Sequence, residues 1–166
     1  MYTIISGTNR PHSHSEKVAL EYQKILKEKN INAIVFDLKN IDVLKRNPAF
    51  TEIETSILEP TQKFIFIIPE YNGSFPGVLK AMIDITDVKK TWGWKKALLT
   101  GVATGRAGNL RGMDHLSDSL QHMNVFVHPN KLPISLIDKV MDEKGVLHNE
   151  FTLHAINKQL DEFIKF

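Results

Sequence analysis

Cysteine is absent from the sequence of 166 residues. Disulfide bonds, thiolate metal sites and a cysteine nucleophile are therefore excluded, and the composition fits a reducing compartment such as the cytoplasm. A membrane-spanning helix requires about 20 consecutive apolar residues, and the sequence has no such run, so we expect no membrane partner. Its first residues lead directly into a strand-like segment, without the charged start and cleavage site typical of a signal peptide.

A strong charge of either sign is missing as well. Lys and Arg number 21 and Asp and Glu number 19, which leaves a formal net charge of +2. Since no run of like charges stands out, nothing favours a nucleic acid as a partner. The length is that of one domain, which we expect to cover residues 1–166.

Two familiar phosphate-binding motifs are also missing. Without a G-x-G-x-x-G motif, Asp37 at the end of the second predicted strand has no support as the ribose ligand of a dinucleotide fold. Without G-K-[ST], a P-loop nucleotide hydrolase is disfavoured. A phosphate site in this chain must therefore use another kind of loop.

The most informative stretch that is present is residues 64–84. It opens with an unbroken apolar run at 64–68, typical of a central strand buried on both faces of a parallel sheet. Pro69 ends the strand because it has no N–H to donate. A polar loop follows, and Pro76 fits the first turn of a helix over 76–86.

Strand-like and helical segments alternate along the whole chain. This alternation predicts an α/β fold with a parallel sheet and right-handed crossovers. Five strands suit a flavodoxin-like three-layer sandwich with strand order 2-1-3-4-5. The predicted strands are residues 2–6, 33–36, 64–68, 96–103 and 125–127. The first predicted helix follows the loop at 7–15, and the others occupy residues 51–59, 76–86, 110–123 and 151–166. The secondary structure of residues 132–141 stays ambiguous.

The loops after strands one, three and four meet at the carboxyl edge of such a sheet, where ligands bind. The first loop offers the hydroxyls of Thr8, Ser13 and Ser15, the guanidinium of Arg10 and the start of a helix, which together can hold a phosphate. Ser13 and Glu16 also have the spacing of a capping box, so a purely structural role of this loop stays open.

The second and third loops, each taken alone, also allow either a ligand-binding role or a purely structural one. In the second, residues 69–74, the ring of Tyr71 and the amide of Asn72 suit a planar heterocycle, but a strand-to-helix turn explains them as well. In the third, Gly105 and Gly108 let the backbone approach a ligand closely or simply turn the chain into a helix.

Two further groups have competing interpretations. Asp118 and His122 share one predicted helix with His115 and can chelate a metal, but with no further ligand in view we expect a solvated helix face and no metal site. Trp92 and Trp94 suit a lid, an oligomer contact or ordinary packing.

Together, three stretches resemble the NADPH-dependent FMN reductase family, which includes small azoreductases, quinone reductases and chromate-reducing flavoproteins. They are SGTNRPHSHS at 6–15, PEYNGSFPGVLKAMID at 69–84 and TGRAG at 104–108. The sequence departs from the family at Thr8, where serine is common, and at Ser15, where asparagine is common. Both departures keep a hydrogen-bonding side chain.

The resemblance implies a bound FMN and the residues that hold it. The phosphate would be held by Thr8, Arg10, Ser13, Ser15 and the backbone near His14. The isoalloxazine ring would be lined by Pro69, Glu70, Tyr71, Asn72 and Gly73. The other side of the ring, or the approach of the nicotinamide, would be bordered by Gly105 and Arg106.

It also implies the activity and the assembly. We expect an FMN-dependent oxidoreductase that takes hydride from NADPH or NADH and reduces a quinone, azo compound, metal oxyanion, oxygen or free flavin, with no side chain required as catalytic acid or base. A homodimer or a dimer of dimers is implied as well.

Two other functional classes stay open. One is a flavodoxin-type electron carrier, which the sequence pI of about 8.7 disfavours because such carriers usually present an acidic surface. The other is a non-enzymatic protein that kept the fold and lost the cofactor.

Overall fold

A computed structural model describes residues 1–166. Its parallel sheet lies between helices on both faces, which confirms the predicted flavodoxin-like α/β architecture. No helix has both the length and the apolar character needed to cross a bilayer. The strands are β1 (Tyr2–Ser6), β2 (Ala33–Asp37), β3 (Lys63–Pro69), β4 (Lys96–Val102), β5 (Phe126–Val127) and β6 (Leu132–Ile134). The helices are α1 (His14–Glu28), α2 (Pro48–Ile53), α3 (Gly77–Asp84), α4 (Val88–Thr91), α5 (Leu110–His122), α6 (Ile137–Val140) and α7 (Glu150–Lys165), and a π-helical segment, Glu54–Leu58, follows α2.

The strand order is β2-β1-β3-β4-β5, as predicted. The central strand β3 pairs with β1 on one side and with β4 on the other. Successive side chains of β3 point to opposite faces. Phe64 and Phe66 join the core that includes α3 and α5, whereas Ile65 and Ile67 join the core that includes α1 and α7. Burial on both faces explains why residues 64–68 of this strand are all apolar.

The far edge of the sheet differs from the single fifth strand that the sequence predicts. β5 pairs only with residues 96–97 of β4, and β6 pairs with residues 100–102. The edge is therefore made of two short strands in succession. The ambiguous segment 132–141 supplies the second of them, together with the one-turn helix α6.

The side chain of Gln159 fills the gap between β5 and β6. Its Nε2 donates to the carbonyl of Leu99 at 3.1 Å and to the carbonyl of Asn130 at 2.8 Å. Its Oε1 accepts from the hydroxyls of Tyr22 at 2.7 Å and Thr100 at 3.2 Å. Burial raises the pKa of Tyr22, so its hydroxyl keeps its proton. One buried amide thus joins α1, β4 and α7.

We expect Gln159→Ala to lower the free energy of unfolding by about 2–3 kcal/mol, because it removes the donor to the buried carbonyl of Leu99 and to the carbonyl of Asn130, and the acceptor of two buried hydroxyls. Urea denaturation measures the change. Gln62→Ala is the matched control, since Gln62 is exposed and its side chain makes no hydrogen bond. Equal stability of the two variants would contradict the role of Gln159.

The segment before β3 also departs from the prediction. In place of one helix over 51–59, α2 runs into the π-helical segment. Glu54 at the start of that segment is fully buried, pairs with Arg46 and accepts from the hydroxyl of Thr91 at 3.1 Å. A buried carboxylate held by partners distant in sequence leaves no mark on the local periodicity.

The two tryptophans have different surroundings. Trp92 is fully buried against Phe64, and its indole N–H donates to the hydroxyl of Thr86 at 2.6 Å. Trp94 is 73% exposed and lies beside Phe126, with ring centroids 6.0 Å apart. Trp92 is therefore a core residue, whereas Trp94 is available for contact with another molecule.

Candidate functional site

The loops after β1, β3 and β4 meet at the carboxyl edge of the sheet and enclose a cleft of about 290 Å³, called here the first cleft. The candidate residues that line it are Thr8, Arg10, Ser13, His14, Ser15, Pro69, Glu70 and Tyr71. A second cleft, also about 290 Å³, is lined by Asn72, Gly73 and Gly105 and shares Glu70, Ala103 and Thr104 with the first. The two clefts are therefore adjacent. Arg106 lines neither of them.

Helix α1 begins at the first cleft. Ser13 caps it, because its Oγ accepts from the backbone N–H of Glu16 at 3.1 Å. The carboxylate of Glu16 binds Lys39 at 2.6 Å, so Lys39 offsets the charge that would oppose an anion here. The hydroxyl proton of Ser13 and the first N–H groups of a 15-residue helix remain available to a ligand.

Two buried polar atoms in the first turn of α1 have no partner in the protein. They are Oγ of Ser15, a residue only 1% exposed, and Nδ1 of His14. The other ring nitrogen of His14 lies 3.0 Å from the carboxylate of Asp138. A buried polar atom without a partner costs about 1–3 kcal/mol. A ligand with acceptor oxygens would supply the missing bond of Ser15 and, when the imidazole is doubly protonated, that of His14.

The first and second loops are joined across the cleft. The guanidinium carbon of Arg10 lies 4.2 Å from the centroid of the Tyr71 ring, in a cation–π contact. The hydroxyl of Tyr71 lies 2.6 Å from Oγ1 of Thr8, which is almost fully buried. Thr8 and Arg10 therefore also fix the ring of Tyr71 as one wall of the cleft.

The second loop is a tight turn between Tyr71 and Ser74, which exchange backbone hydrogen bonds of 2.9 and 3.1 Å. Asn72 and Gly73 between them both have positive φ, 51° and 76°. Asn-Gly is the dipeptide that such a turn favours. Folding alone thus accounts for Asn72 and Gly73, whereas it does not account for the unpartnered atoms in α1.

The third loop packs tightly on the protein at Gly108, whereas its middle, at Gly105, is open. A Cβ on Gly101 would lie 2.0 Å from the carbonyl oxygen of Gly108, and a Cβ on Gly108 would lie 2.6 Å from Pro133. Gly105, in contrast, faces open space. The carbonyl of Arg106 accepts from the hydroxyl of Ser135 at 2.7 Å, which anchors the exposed part of the loop.

Sequence reasoning did not single out five residues that line the first cleft. Thr104 belongs to the TGRAG stretch, and Val102 and Ala103 end the predicted strand 96–103 directly before it. Their place in the sequence was therefore a usable signal. Ile137 comes from α6, a single turn that only tertiary packing places here. The five are Pro11, Val102, Ala103, Thr104 and Ile137.

The possible metal ligands of α5 do not form a cluster. No group of three or more His, Asp or Glu side chains is placed to hold a metal ion. His115 instead shares a hydrogen bond with Ser74, with Nδ1 and Oγ 2.9 Å apart. This contact joins α5 to the turn of the second loop.

Comparison with known sequences gives two informative relatives. An NAD(P)H-dependent FMN reductase of Pseudomonas aeruginosa is 34% identical over 101 residues, which is 58% of this chain and 54% of that protein. A 2-hydroxy-1,4-benzoquinone reductase of a Burkholderia species is 25% identical over 103 residues, or 60% of this chain and 56% of that protein. The matched part thus spans little more than half the length of these relatives.

Solved structures share the fold over the whole chain. FerB, a flavoenzyme NAD(P)H:(acceptor) oxidoreductase of Paracoccus denitrificans, superposes with a TM-score of 0.83 at 19% identity, over 99% of this chain and 94% of its own. A flavodoxin from the domain Archaea gives a TM-score of 0.61 at 10% identity, over 99% and 98%. At these identities the likeness shows the fold alone.

The family assignment rests on a match that is longer than either sequence alignment. The profile of one family, described as NADPH-dependent FMN reductase, matches residues 2–137. That range includes all three loops of the two clefts. This chain therefore belongs to the NADPH-dependent FMN reductase family.

Proposed function

We propose that this protein is an FMN-dependent NAD(P)H oxidoreductase that reduces a small acceptor such as a quinone, an azo compound, a metal oxyanion or a free flavin. The observation that carries the proposal is the pair of buried, unpartnered atoms of His14 and Ser15, two residues that line the first cleft. The names of the two relatives, an FMN reductase and a benzoquinone reductase, support the reaction class.

The first turn of α1 fits the phosphate of FMN. Ser13 and Ser15 each have a hydroxyl proton to donate, and the positive end of the helix dipole favours a dianion. His14 donates from Nδ1 when its ring is doubly protonated, while Asp138 holds the other nitrogen in place. Arg10 lines the same cleft and can turn its planar guanidinium from Tyr71 to the phosphate.

The remaining residues of the two clefts would position the ring and the nucleotide. Pro69, Glu70 and Tyr71 would lie along one side of the isoalloxazine ring, and the second cleft beside Gly105 would admit NAD(P)H. Bound FMN would supply the hydride chemistry between NAD(P)H and the acceptor. The protein would bind and orient both partners, and no side chain is required as a catalytic acid or base.

We further propose that the protein works in the cytoplasm as a homodimer or a dimer of dimers. The family resemblance supports this assembly, and the exposed aromatic pair of Trp94 and Phe126 offers apolar surface to a second copy. The absence of cysteine fits the reducing compartment.

NADPH oxidation in the presence of 1,4-benzoquinone tests the proposal, with FMN added in increasing concentration. We expect the rate to rise with FMN to a plateau. Arg10→Ala is expected to need about tenfold more FMN to reach the same plateau, because one charge-assisted contact to the phosphate is lost.

Lys165→Ala is the matched control for Arg10→Ala. Lys165 is an exposed cation near the end of α7. This end of α7 contacts Lys63 at the start of β3, on the side of the sheet opposite to the carboxyl ends of the strands. Its FMN requirement should equal that of the wild type. A rate independent of FMN in the FMN-free protein would contradict the proposed function.

A further inference from the structure

The side chain of His14 joins helix α6 to the first turn of α1. Its Nε2 lies 3.0 Å from the carboxylate of Asp138 in α6, while its Nδ1 is buried without a partner in the protein. The carboxylate attracts a proton to Nε2, whether the ring carries one proton or two. Nδ1 is therefore the nitrogen whose protonation changes when the charge of the ring changes.

The charge of this ring depends on whether Nδ1 finds an acceptor. Without a ligand, a proton on Nδ1 would be a buried donor with no partner, and a charged ring is harder to bury than a neutral one. His14 lines the first cleft. A phosphate bound there would give the doubly protonated ring an anion at each of its two nitrogens. The ligand would thus favour the charged form of His14.

The third loop holds α6, and with it Asp138, against α1. The N–H of Leu136 donates to the carbonyl of Gly105 at 3.1 Å. The N–H of Ile137 donates to the carbonyl of Ala103 at 3.0 Å. Leu136 has a φ of 50°, a conformation that leucine adopts only when its surroundings enforce it. The backbone just before Asp138 is therefore fixed in place before any ligand binds.

We propose that binding of the FMN phosphate takes up a proton at His14, and that Asp138 is the positioning residue that holds the ring for this step. The inference rests on the proposed function, which places the phosphate at the first turn of α1. The family resemblance gives a role there only to the backbone near His14, whereas the contact with Asp138 gives one to its side chain. The affinity for FMN then depends on pH.

The sign of this dependence separates His14 from the phosphate. An ordinary histidine loses its charge near about pH 6.5, so above that pH the ring must regain a proton to bind, and the affinity falls. A phosphate monoester gains its second charge near about pH 6, which would strengthen binding as the pH rises. A loss of affinity above neutral pH therefore cannot come from the phosphate.

The other ionisable groups around the first turn of α1 are mostly of types that keep their charge over this range. Exposed His12 is the exception and needs its own control. The remaining groups are Arg10, Glu70 and Tyr71 of the cleft, Glu16 and Lys17 of α1, Lys39 beside Glu16, and Lys139 of α6.

Calorimetric titration of the FMN-free protein with FMN, in two buffers of different ionisation enthalpy, counts the protons taken up. For the wild type we expect more than about half a proton at pH 7.5, and a dissociation constant that rises about tenfold between about pH 6.5 and pH 8.5. His14→Gln should abolish both effects. His12→Asn should behave as the wild type, since asparagine tolerates the positive φ of 55° at that position.

Asp138→Asn tests the positioning role. It should reduce the proton uptake and weaken FMN binding at high pH, yet leave binding nearly unchanged near about pH 6, where an ordinary histidine is charged without help. A merely structural role of Asp138 would instead weaken binding by the same factor at every pH. Riboflavin, which lacks the phosphate, should bind without proton uptake.

Three results would overturn the inference. They are no proton uptake by the wild type, equal uptake by His14→Gln, and a loss of affinity in Asp138→Asn that is the same at every pH. Failure of the proposed function would appear instead as absence of FMN binding. Titration with inorganic phosphate, followed by nuclear magnetic resonance of the imidazole nitrogens, then decides the inference, because the ring of His14 either gains a proton or does not.

Discussion

Replacing Ser15 by alanine should lower the affinity for FMN by about 10- to 100-fold, because a buried hydroxyl bound to a charged phosphate contributes about 1.5–3 kcal/mol. The same change should leave the FMN-free protein at least as stable as the wild type. Oγ of Ser15 has no partner in the protein, so its removal breaks no hydrogen bond there.

Two measurements on the same variant check this expectation. Quenching of FMN fluorescence gives the dissociation constant, and thermal unfolding without FMN gives the stability. Ser117→Ala is the control, since Ser117 is also buried on a helix but accepts only from Gln121 within α5. A less stable Ser15→Ala protein with unchanged FMN affinity would show that Ser15 serves the fold and not the ligand.

Replacing Gly101 by alanine should destabilise the protein by about 3–4 kcal/mol, near the upper end for a single added methyl group. The new Cβ would lie 2.0 Å from the carbonyl oxygen of Gly108, far inside van der Waals contact. Neither side can give way easily, because Gly101 lies in β4 and Gly108 is itself packed on Pro133. The third loop would have to move away from the sheet.

Gly77→Ala is the matched control for this change. Nothing lies within 4 Å of a Cβ at Gly77, the first residue of α3, and alanine favours a helix. We expect Gly77→Ala to unfold in urea at the same or a slightly higher concentration than the wild type. A Gly101→Ala protein as stable as Gly77→Ala would contradict the close packing of the third loop on β4.

The architecture was predictable from the sequence because its signals are local. The apolar run at 64–68 marks a strand with two buried faces, and Pro69 ends it. Alternation of such runs with helical periodicity then leaves few topologies for a right-handed parallel sheet. The observed order of strands is the one that the pattern predicts.

The departures have a common physical cause, which is that distant partners decide them. The edge of the sheet is split because Gln159, far along the chain, supplies the hydrogen bond at Leu99 that a longer strand would make. The π-helical segment contains Glu54, whose partners Arg46 and Thr91 lie on either side of it in sequence. The contacts of Gln159 with Leu99 and of Glu54 with Thr91 span 60 and 37 residues, which is farther than a local sequence pattern reaches.

The candidate site was predictable in its loops but not in the role of each residue. From residue type alone, Asn72 and Ser15 are equal candidates for binding the ligand. The structure separates them, because the turn requires an Asn-Gly pair, whereas nothing in the protein satisfies the hydroxyl of Ser15. Ile137 could not be found from sequence, since packing of α6 brings it to the cleft.

The most direct test of the account is the visible absorption spectrum of the protein, loaded with FMN and freed of excess, before and after anaerobic addition of NADPH. We predict a protein-bound spectrum of oxidised flavin whose visible absorbance is lost when NADPH is added. Bound flavin that neither NADPH nor NADH bleaches would contradict the reductase and indicate an electron carrier. A protein that retains no flavin would contradict the assignment of the site itself.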